Sequence, residues 1–154
     1  MRGYLVDVNH IQAHFDKSAA FFARLRSVPA SDLLSLCAVS LGEIRAGHEM
    51  STTTNEQRRH DFETFVIDQY LHVSLEVTAS TTSYYASIMG RVWGKHKPAN
   101  SRIGTDSHLL SLGIDINDVW LVASAWEHGL IVLTHDKMRF IREAVPEVQF
   151  DSWI

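Results

Sequence analysis

The stretch YLVDVN, residues 4–9, decides how this sequence folds and where it can bind a ligand. Three apolar residues are followed at once by Asp7, and Asn9 stands two positions further on. A short apolar run of this kind predicts a strand buried on both faces, which is typical of parallel sheets covered by helices. A carboxylate at the end of such a strand is costly to bury without a purpose, so Asp7 is the first candidate functional residue.

The rest of the chain alternates between short apolar runs and amphipathic segments with helical spacing. This alternation predicts an α/β fold, with helices on both faces of a parallel sheet of about four or five strands. A chain of 154 residues fits one domain, residues 1–154. The predicted strands cover residues 4–8, 33–39, 71–75, 130–134 and 148–150, and the predicted helices cover residues 11–22, 40–47, 54–69, 78–93, 105–112, 117–129 and 138–144.

Composition narrows the functional classes. The formal net charge of −4 argues against a protein that coats nucleic acid by bulk positive charge, but it leaves a nuclease with metal-binding carboxylates open. The single cysteine, Cys37, lies in an apolar run, which predicts a buried reduced thiol. No apolar run reaches the length of a membrane span and no signal peptide is evident, so we expect a soluble cytoplasmic protein that does not bind membranes.

Four acidic side chains are expected at one edge of the sheet, because ligands bind at the carboxyl ends of parallel strands. Asp7 ends the first strand, and Glu43 is predicted in the first turn of the helix that follows the second. Asp118 stands where the helix before strand 130–134 begins, and Asp136 follows that strand. Converging carboxylates repel one another unless a cation offsets their charge, and Mg²⁺ or Mn²⁺ prefers oxygen ligands. Such a site suits phosphodiester cleavage.

Three of these acids also have an ordinary structural explanation. Ser40 and Glu43 have the spacing of a capping box at a helix start. Asn117 or Asp118 can cap the helix that begins there, and Asp136 can cap the last helix or shape a turn. Their combined placement, together with Asp7, is what favours a functional site.

The segments that carry these acids resemble the motifs of PIN-domain ribonucleases. Residues 4–9 are similar to the opening strand of that family, and residues 39–47 resemble its second motif, with a glutamate on a helix. Residues 116–125 and 130–136 resemble the third and fourth motifs, in the same order. The ending, residues 150–153, resembles the terminal strand of the VapC-type branch. The similarity spans essentially the whole chain.

The resemblance implies a PIN-like α/β/α sandwich and a metal-dependent endoribonuclease that uses Mg²⁺ or Mn²⁺. It further implies the toxin of a type II toxin–antitoxin pair, which is held inactive by the tail of its antitoxin and commonly forms a homodimer. The site residues that the resemblance implies are Asp7, Glu43, Asp118 and Asp136 as metal ligands and catalytic groups, with Asn9 and Thr134 supporting them.

The chain departs from the family pattern at two places. Val8 stands where a small hydroxyl residue is frequent, which removes one hydrogen bond near Asp7. The stretch 94–115 is longer than usual in this branch, and the sequence leaves its role open.

One segment, residues 91–102, is densely basic. It can contact RNA phosphates or an acidic antitoxin tail, although a solvated loop over residues 94–104 explains it equally well. Trp93 can stack on an unpaired base, but its helical spacing from Met89 favours packing. The candidate RNA-binding residues are Arg91, Lys95, Lys97 and Arg102.

Three histidines lie close to these motifs. His10 and His14 are four residues apart on a predicted helix, a spacing that can bind a transition metal, but no third ligand is evident. The pattern favours two exposed helix residues instead. His135 lies between Thr134 and Asp136, and its side chain is expected to point away from theirs.

Two other functions compete with a nuclease. A non-catalytic PIN-like module would bind RNA or protein without cleaving RNA. A metal-dependent phosphatase would act on small phosphomonoesters, but the sequence has Asn9 where the haloacid-dehalogenase type has a second aspartate after its first strand.

Overall fold

A computed structural model describes residues 2–51, 55–100 and 102–154 of the chain. Within these ranges five strands alternate with eight α-helices. The strands are β1 Gly3–Val6, β2 Leu33–Cys37, β3 Ser74–Leu75, β4 Ile131–Leu133 and β5 Phe150–Asp151. The helices are α1 Val8–Phe15, α2 Ala19–Leu25, α3 Ala38–Met50, α4 Glu56–Tyr70, α5 Ala79–His96, α6 Thr105–Ser111, α7 Ile116–His128 and α8 Arg139–Ala144.

The strands form one parallel sheet in the order β3-β2-β1-β4-β5. The first strand is central: Tyr4 pairs with Leu34 of β2 on one side, and Val6 pairs with Leu133 of β4 on the other. The chain therefore leaves β1 for one half of the sheet and later returns to the other half. A crevice forms at the carboxyl ends of strands at such a switch point. The prediction of a parallel α/β sheet with about five strands is confirmed.

Helices cover both faces of the sheet, as the apolar strands predict. Successive residues of a strand point to opposite faces. In β1, Leu5 joins a core built with α5 to α8, while Tyr4 and Val6 join a second core built with α1 to α4. Each of these three side chains is at most 3% exposed. The predicted α/β/α sandwich is therefore correct.

The helix predicted over residues 11–22 is wrong, because the structure has two helices there. α1 ends at Phe15 and α2 starts at Ala19, with Ser18 as its N-cap. Between them Lys17 adopts a left-handed backbone conformation with φ of 55°. A left-handed residue cannot continue a right-handed helix, and the apolar periodicity on either side gives no sign of the break.

Several other predicted boundaries shift. The first two strands end at Val6 and Cys37, earlier than predicted, because helices already begin at Val8 and Ala38. Residues 71–73 form a 3-10 turn before the short β3. The helix predicted to end at Trp93 continues to His96, so the basic loop starts later. The start predicted at Thr54 lies outside the described residues, and α4 begins at Glu56.

No single helix among the described residues is long and apolar enough to cross a membrane. Only α6 and α7 taken together reach that length and composition, and they are bent by 86° relative to one another.

Two glycines provide a test of the local backbone. Gly129 ends α7 in the left-handed region with φ of 64°, whereas Gly90 lies inside α5 with open space where a Cβ would stand. We expect Gly129→Ala to lower the free energy of unfolding by about 1 kcal/mol, because alanine is strained at positive φ. Gly90→Ala should raise it by about 0.5–1 kcal/mol through helix propensity. Urea unfolding measures both, and equal signs for the two variants would contradict the assignment.

Candidate functional site

Asp7 stands between β1 and α1, at the carboxyl edge of the sheet. Its backbone N–H donates to the Leu133 carbonyl at 3.0 Å, which extends the pairing of β1 with β4 by one residue. Its Oδ1 accepts from the Val8 N–H at 2.7 Å, and its Oδ2 accepts from the Thr134 hydroxyl at 2.6 Å. The side chain is only 6% exposed. Both carboxylate oxygens are thus held in a fixed direction by neutral donors.

Asn9 joins Asp7 to Asp136, whose positions are separated by most of the chain. The Asn9 Nδ2 group donates to Asp7 Oδ2 at 3.3 Å and to Asp136 Oδ2 at 3.1 Å. The structure therefore brings these two predicted ligands together, and it gives Asn9 and Thr134 the supporting contacts that the resemblance implies.

The loop that carries Asp136 is held on both sides. Its N–H donates to Thr134 Oγ1 at 3.1 Å, and its carbonyl accepts from Arg142 Nη2 at 2.9 Å. The N-cap of α8 is Met138, in the left-handed region with φ of 41°, so the alternative in which Asp136 caps that helix is wrong. The exposed Asp136 carboxylate is left to face Asn9 and the cleft.

Glu43 lies on α3 and is held by Asn117 of α7. Asn117 Nδ2 donates to Glu43 Oε1 at 2.9 Å. The helix begins at Ala38, so Glu43 is in its second turn and Ser40 lies inside the helix. The capping-box alternative for Ser40 and Glu43 is therefore wrong, as is the placement of Glu43 in the first turn. Sequence reasoning missed the contact with Asn117, because the two residues are distant in the chain.

Asp118 lies in the first turn of α7, one helical turn from Asp115. Asp115 is the N-cap of this helix, and its side chain accepts from the Asn117 N–H at 2.8 Å. The predictions that Asn117 or Asp118 caps the helix are therefore wrong. With the capping role filled by Asp115, the half-buried Asp118 side chain is available for the site.

Three acids of this edge have raised pKa values, first through burial and then through the charges of neighbouring acids. Burial, and then the charges of Asp7, Asp115, Asp136 and Glu43, raise the pKa of Asp118 to about 7. Burial also raises the pKa of Glu43, with smaller contributions from the charges of Asp7, Asp115 and Asp136. The pKa of Asp7 is raised by burial, although its hydrogen bonds to Thr134 and Val8 oppose the shift. The four predicted acids therefore lie close enough to interact electrostatically.

The donor set fits a hydrated divalent cation better than a closed metal cage. Among the described residues, no three His, Cys, Asp or Glu side chains are close enough to hold a metal ion by themselves. Mg²⁺ commonly uses one or two carboxylates and keeps several waters, which an open cluster allows. Within the same ranges, none of the four acids takes part in a salt bridge. Their repulsion is thus left for a cation to offset.

A cleft of about 460 Å³ adjoins the acidic cluster, and Asp118 and Asp136 line it. The exposed cations Lys137 and Arg139 line the same cleft, and Phe140 lies beside them. Sequence reasoning missed these two basic residues, although their position directly after Asp136 was a usable signal. A cleft lined by both acids and exposed cations can accommodate a phosphate diester.

The four basic residues singled out in the sequence do not lie together. Arg91 donates to Glu147 at 2.8 Å and to the Ala144 carbonyl at 3.0 Å, and its guanidinium lies 4.8 Å from the centre of the Trp126 ring. Glu147 and Trp126 line a cavity beside Gly3, at the amino end of β1. The structure therefore places Arg91 at the opposite edge of the sheet from Asp7.

The end of α5 lies nearer the cleft. The His96 ring packs edge-on against Phe140, with ring centres 4.5 Å apart. Lys95, Lys97 and Arg102 are exposed in this region of the chain. The half-buried Trp93 packs edge-on against His108, with ring centres 5.8 Å apart, as its helical spacing predicts.

The prediction of exposed histidines on the first helix is wrong. His10 is fully buried, and its ring contacts Asn9 and the backbone of Trp153. His14 is half-buried, with Nδ1 at 2.7 Å from the Tyr70 hydroxyl. Because each ring has its own partners, the pair is not arranged around a shared metal.

Two smaller predictions can be compared with the structure. The His135 ring contacts Ser152, with 3.4 Å between Nδ1 and Oγ, and thus turns away from the acids. Cys37 is a buried free thiol, as predicted, and its Sγ lies 3.5 Å from Ser124 Oγ.

Solved structures with a similar fold include members of the VapBC family of toxin–antitoxin systems. VapBC2 from Rickettsia felis, bound to a DNA fragment from its promoter, aligns at a TM-score of 0.72 with 14% identity, over 99% of both chains. VapBC-1 from nontypeable Haemophilus influenzae aligns at 0.70 with 17% identity, over 98% of both chains. FitAcB from Neisseria gonorrhoeae aligns at 0.70 with 20% identity, over 96% of both chains. No family model and no curated protein sequence matches the chain.

The chain has a PIN-like fold. This agrees with the family resemblance of the four sequence motifs at the level of the fold, over nearly the whole chain. In this PIN-like fold, the carboxyl ends of β1 and β4 carry Asp7 and Thr134 side by side.

The raised pKa of Asp118 makes a prediction about stability. Unfolded aspartate titrates at about 3.9, whereas Asp118 in the PIN-like fold titrates at about 7, so its ionisation destabilises the native state increasingly between these two pH values. We expect Asp118→Asn to leave stability at pH 3 nearly unchanged. At pH 8 it should raise the free energy of unfolding of the metal-free protein by about 2 kcal/mol, after allowance for solvent screening.

Denaturant unfolding at a series of pH values in EDTA measures this effect. The control is Asp68→Asn, which removes an exposed acid on α4 and should change little at either pH. A destabilising effect of Asp118→Asn at pH 8 would contradict the proposed repulsion.

Proposed function

We propose that this protein is a metal-dependent endoribonuclease that hydrolyses RNA phosphodiester bonds and acts as the toxin of a type II toxin–antitoxin pair. The observation that carries the proposal is the cluster of four acids, free of salt bridges among the described residues, at the carboxyl edge of a PIN-like fold. Metal-assisted phosphodiester hydrolysis places a cation at the scissile phosphate, and a carboxylate cluster beside an open cleft is an arrangement that such chemistry uses.

Asp7 and Asp118 are the central proposed ligands of Mg²⁺ or Mn²⁺, with Glu43 and Asp136 as further ligands, directly or through water. A bound metal would activate a water molecule and stabilise the charge that develops on the leaving oxygen. The chain's own polar groups hold the ligands in place: Thr134 holds Asp7, and Asn117 holds Glu43. This set of neutral donors orients the carboxylates without removing their charge.

Exposed cations around the cleft are proposed to bind the RNA backbone. Lys137 and Arg139 line the cleft beside the acids, and phosphate groups bind cations of this kind with a strong dependence on salt. We propose the same role for three exposed residues near the end of α5 and after it: Lys95, Lys97 and Arg102. Arg91 is left out of it, because the structure places it at the opposite edge.

RNA cleavage by the purified protein tests the proposal. We expect cleavage of structured RNA with Mn²⁺ or Mg²⁺, and none in EDTA. Asp7→Asn and Asp118→Asn should each lower the rate about a hundredfold or more, because metal-assisted stabilisation of the transition state is worth several kcal/mol. Asparagine can still cap α1 at position 7, so the fold should persist. Asp68→Asn, purified in parallel, should cleave like the wild type.

The same assay separates the competing functions. Cleavage that is unchanged in both aspartate variants would come from a contaminant and would contradict the mechanism. RNA binding without Mn²⁺-dependent cleavage would favour a non-catalytic PIN-like module. Hydrolysis of a small phosphomonoester, but not of RNA, would favour a phosphatase.

The toxin proposal rests on the solved structures of similar fold that belong to the VapBC family of toxin–antitoxin systems. We propose an antitoxin partner that covers the acidic edge, and a homodimer as the state of the toxin. Induced expression of the wild-type chain in bacteria should arrest growth, whereas Asp7→Asn should not. Co-expression of the proposed antitoxin should restore growth. Arrest by Asp7→Asn at equal protein levels would show that toxicity does not depend on the acids.

A further inference from the structure

His10 connects the last residues of the chain to the acidic cluster. It lies on α1 directly after Asn9, and its side chain is 0% exposed. Its Nε2 accepts a hydrogen bond from the Trp153 backbone N–H at 2.9 Å, and its Nδ1 lies 2.7 Å from Asn9 Oδ1. A buried ring with a partner on each nitrogen has a defined orientation and a defined proton position.

The two contacts of the ring identify its tautomer. A backbone N–H can only donate, so the Nε2 that receives the Trp153 N–H carries no proton. Burial lowers the pKa of His10 to about 4, so the ring is neutral near pH 7. Its single proton is therefore on Nδ1 and is donated to Asn9 Oδ1.

This donation decides which way the Asn9 amide faces. Asn9 Oδ1 accepts from His10 Nδ1, with a second, longer contact of 3.4 Å from the His135 N–H. Asn9 Nδ2 is then directed at the Oδ2 atoms of Asp7 and Asp136. A flipped amide would place its carbonyl oxygen against two carboxylates and its NH₂ group against the Nδ1–H donor, so both contacts would become repulsive.

We propose that His10 is a positioning residue: it orients the Asn9 amide so that this amide joins Asp7 to Asp136, and thereby ties the backbone of the C-terminal segment to the candidate metal site. The orientation of Asn9 follows from the hydrogen bonds alone. Its consequence for catalysis rests on the proposed nuclease function.

Three substitutions test separately the contact of His10 with Asn9 and its contact with Trp153. His10→Asn keeps a short amide donor near the position of Nδ1, towards Asn9, and loses the acceptor for Trp153. His10→Gln reaches the position of Nε2 and keeps that acceptor, but loses the donor towards Asn9. His10→Leu removes both. His14→Leu is the matched control, because His14 is half-buried on the same helix and contacts Tyr70 rather than the acids.

The readouts are the side-chain amide resonances of Asn9 in the metal-free protein, the Mn²⁺ dissociation constant from the EPR signal of free Mn²⁺, and kcat for RNA cleavage. We expect His10→Asn and His14→Leu to retain the wild-type Asn9 resonances. His10→Gln and His10→Leu should lose them, and should weaken Mn²⁺ binding or kcat by about 10-fold, as supporting partners of metal ligands do.

The opposite ranking would overturn the proposal. If His10→Gln behaves like the wild type while His10→Asn does not, His10 only anchors the C-terminal segment. Unchanged Asn9 resonances in a folded His10→Leu protein would also overturn it. If the wild type cleaves no RNA, the nuclease proposal fails, while the Asn9 resonances still decide whether His10 orients the amide.

Discussion

The parallel pairing of β1 with β4 is the constraint on which the candidate site depends. It aligns Val6 with Leu133, so the next residue of each strand, Asp7 and Thr134, emerges at the same height of the sheet. The Asp7 N–H continues the pairing to the Leu133 carbonyl, and the Thr134 hydroxyl binds the Asp7 carboxylate. A shift of this register by one residue would turn Asp7 towards the other face and separate it from Thr134.

The second organising feature is the way in which the acids are held. Neutral groups orient them: a hydroxyl for Asp7, and side-chain amides for Glu43 and Asp136. A lysine or arginine in these positions would stabilise the metal-free fold, but it would also offset the charge that a cation needs. Burial, and then the charges of the neighbouring acids, raise the pKa of Asp118, so its ionisation lowers the stability of the metal-free fold.

The C-terminal segment, residues 150–153, contacts the backbone next to the acidic loop and the residue that orients Asn9. The Thr134 N–H donates to the Asp151 carbonyl at 3.0 Å, so β5 fixes the backbone next to the acidic loop. Trp153 packs edge-on against Tyr4 with ring centres 5.1 Å apart, and its N–H binds His10. The last residues of the chain are thus in contact with both the central strand and the residue that orients Asn9.

The sequence alone determined the fold class and indicated which acids come to one edge of the sheet. Strands that are apolar on both faces can only be buried between two layers of helices, and acids that follow such strands must emerge at one edge. The tertiary structure decided how those acids are held. It showed that Asp115 and not Asp118 caps α7, that Glu43 is held by Asn117, and that His10 is buried. These outcomes depend on partners far away in the chain, which local spacing cannot reveal, whereas the periodicity of apolar residues can be read from neighbouring positions.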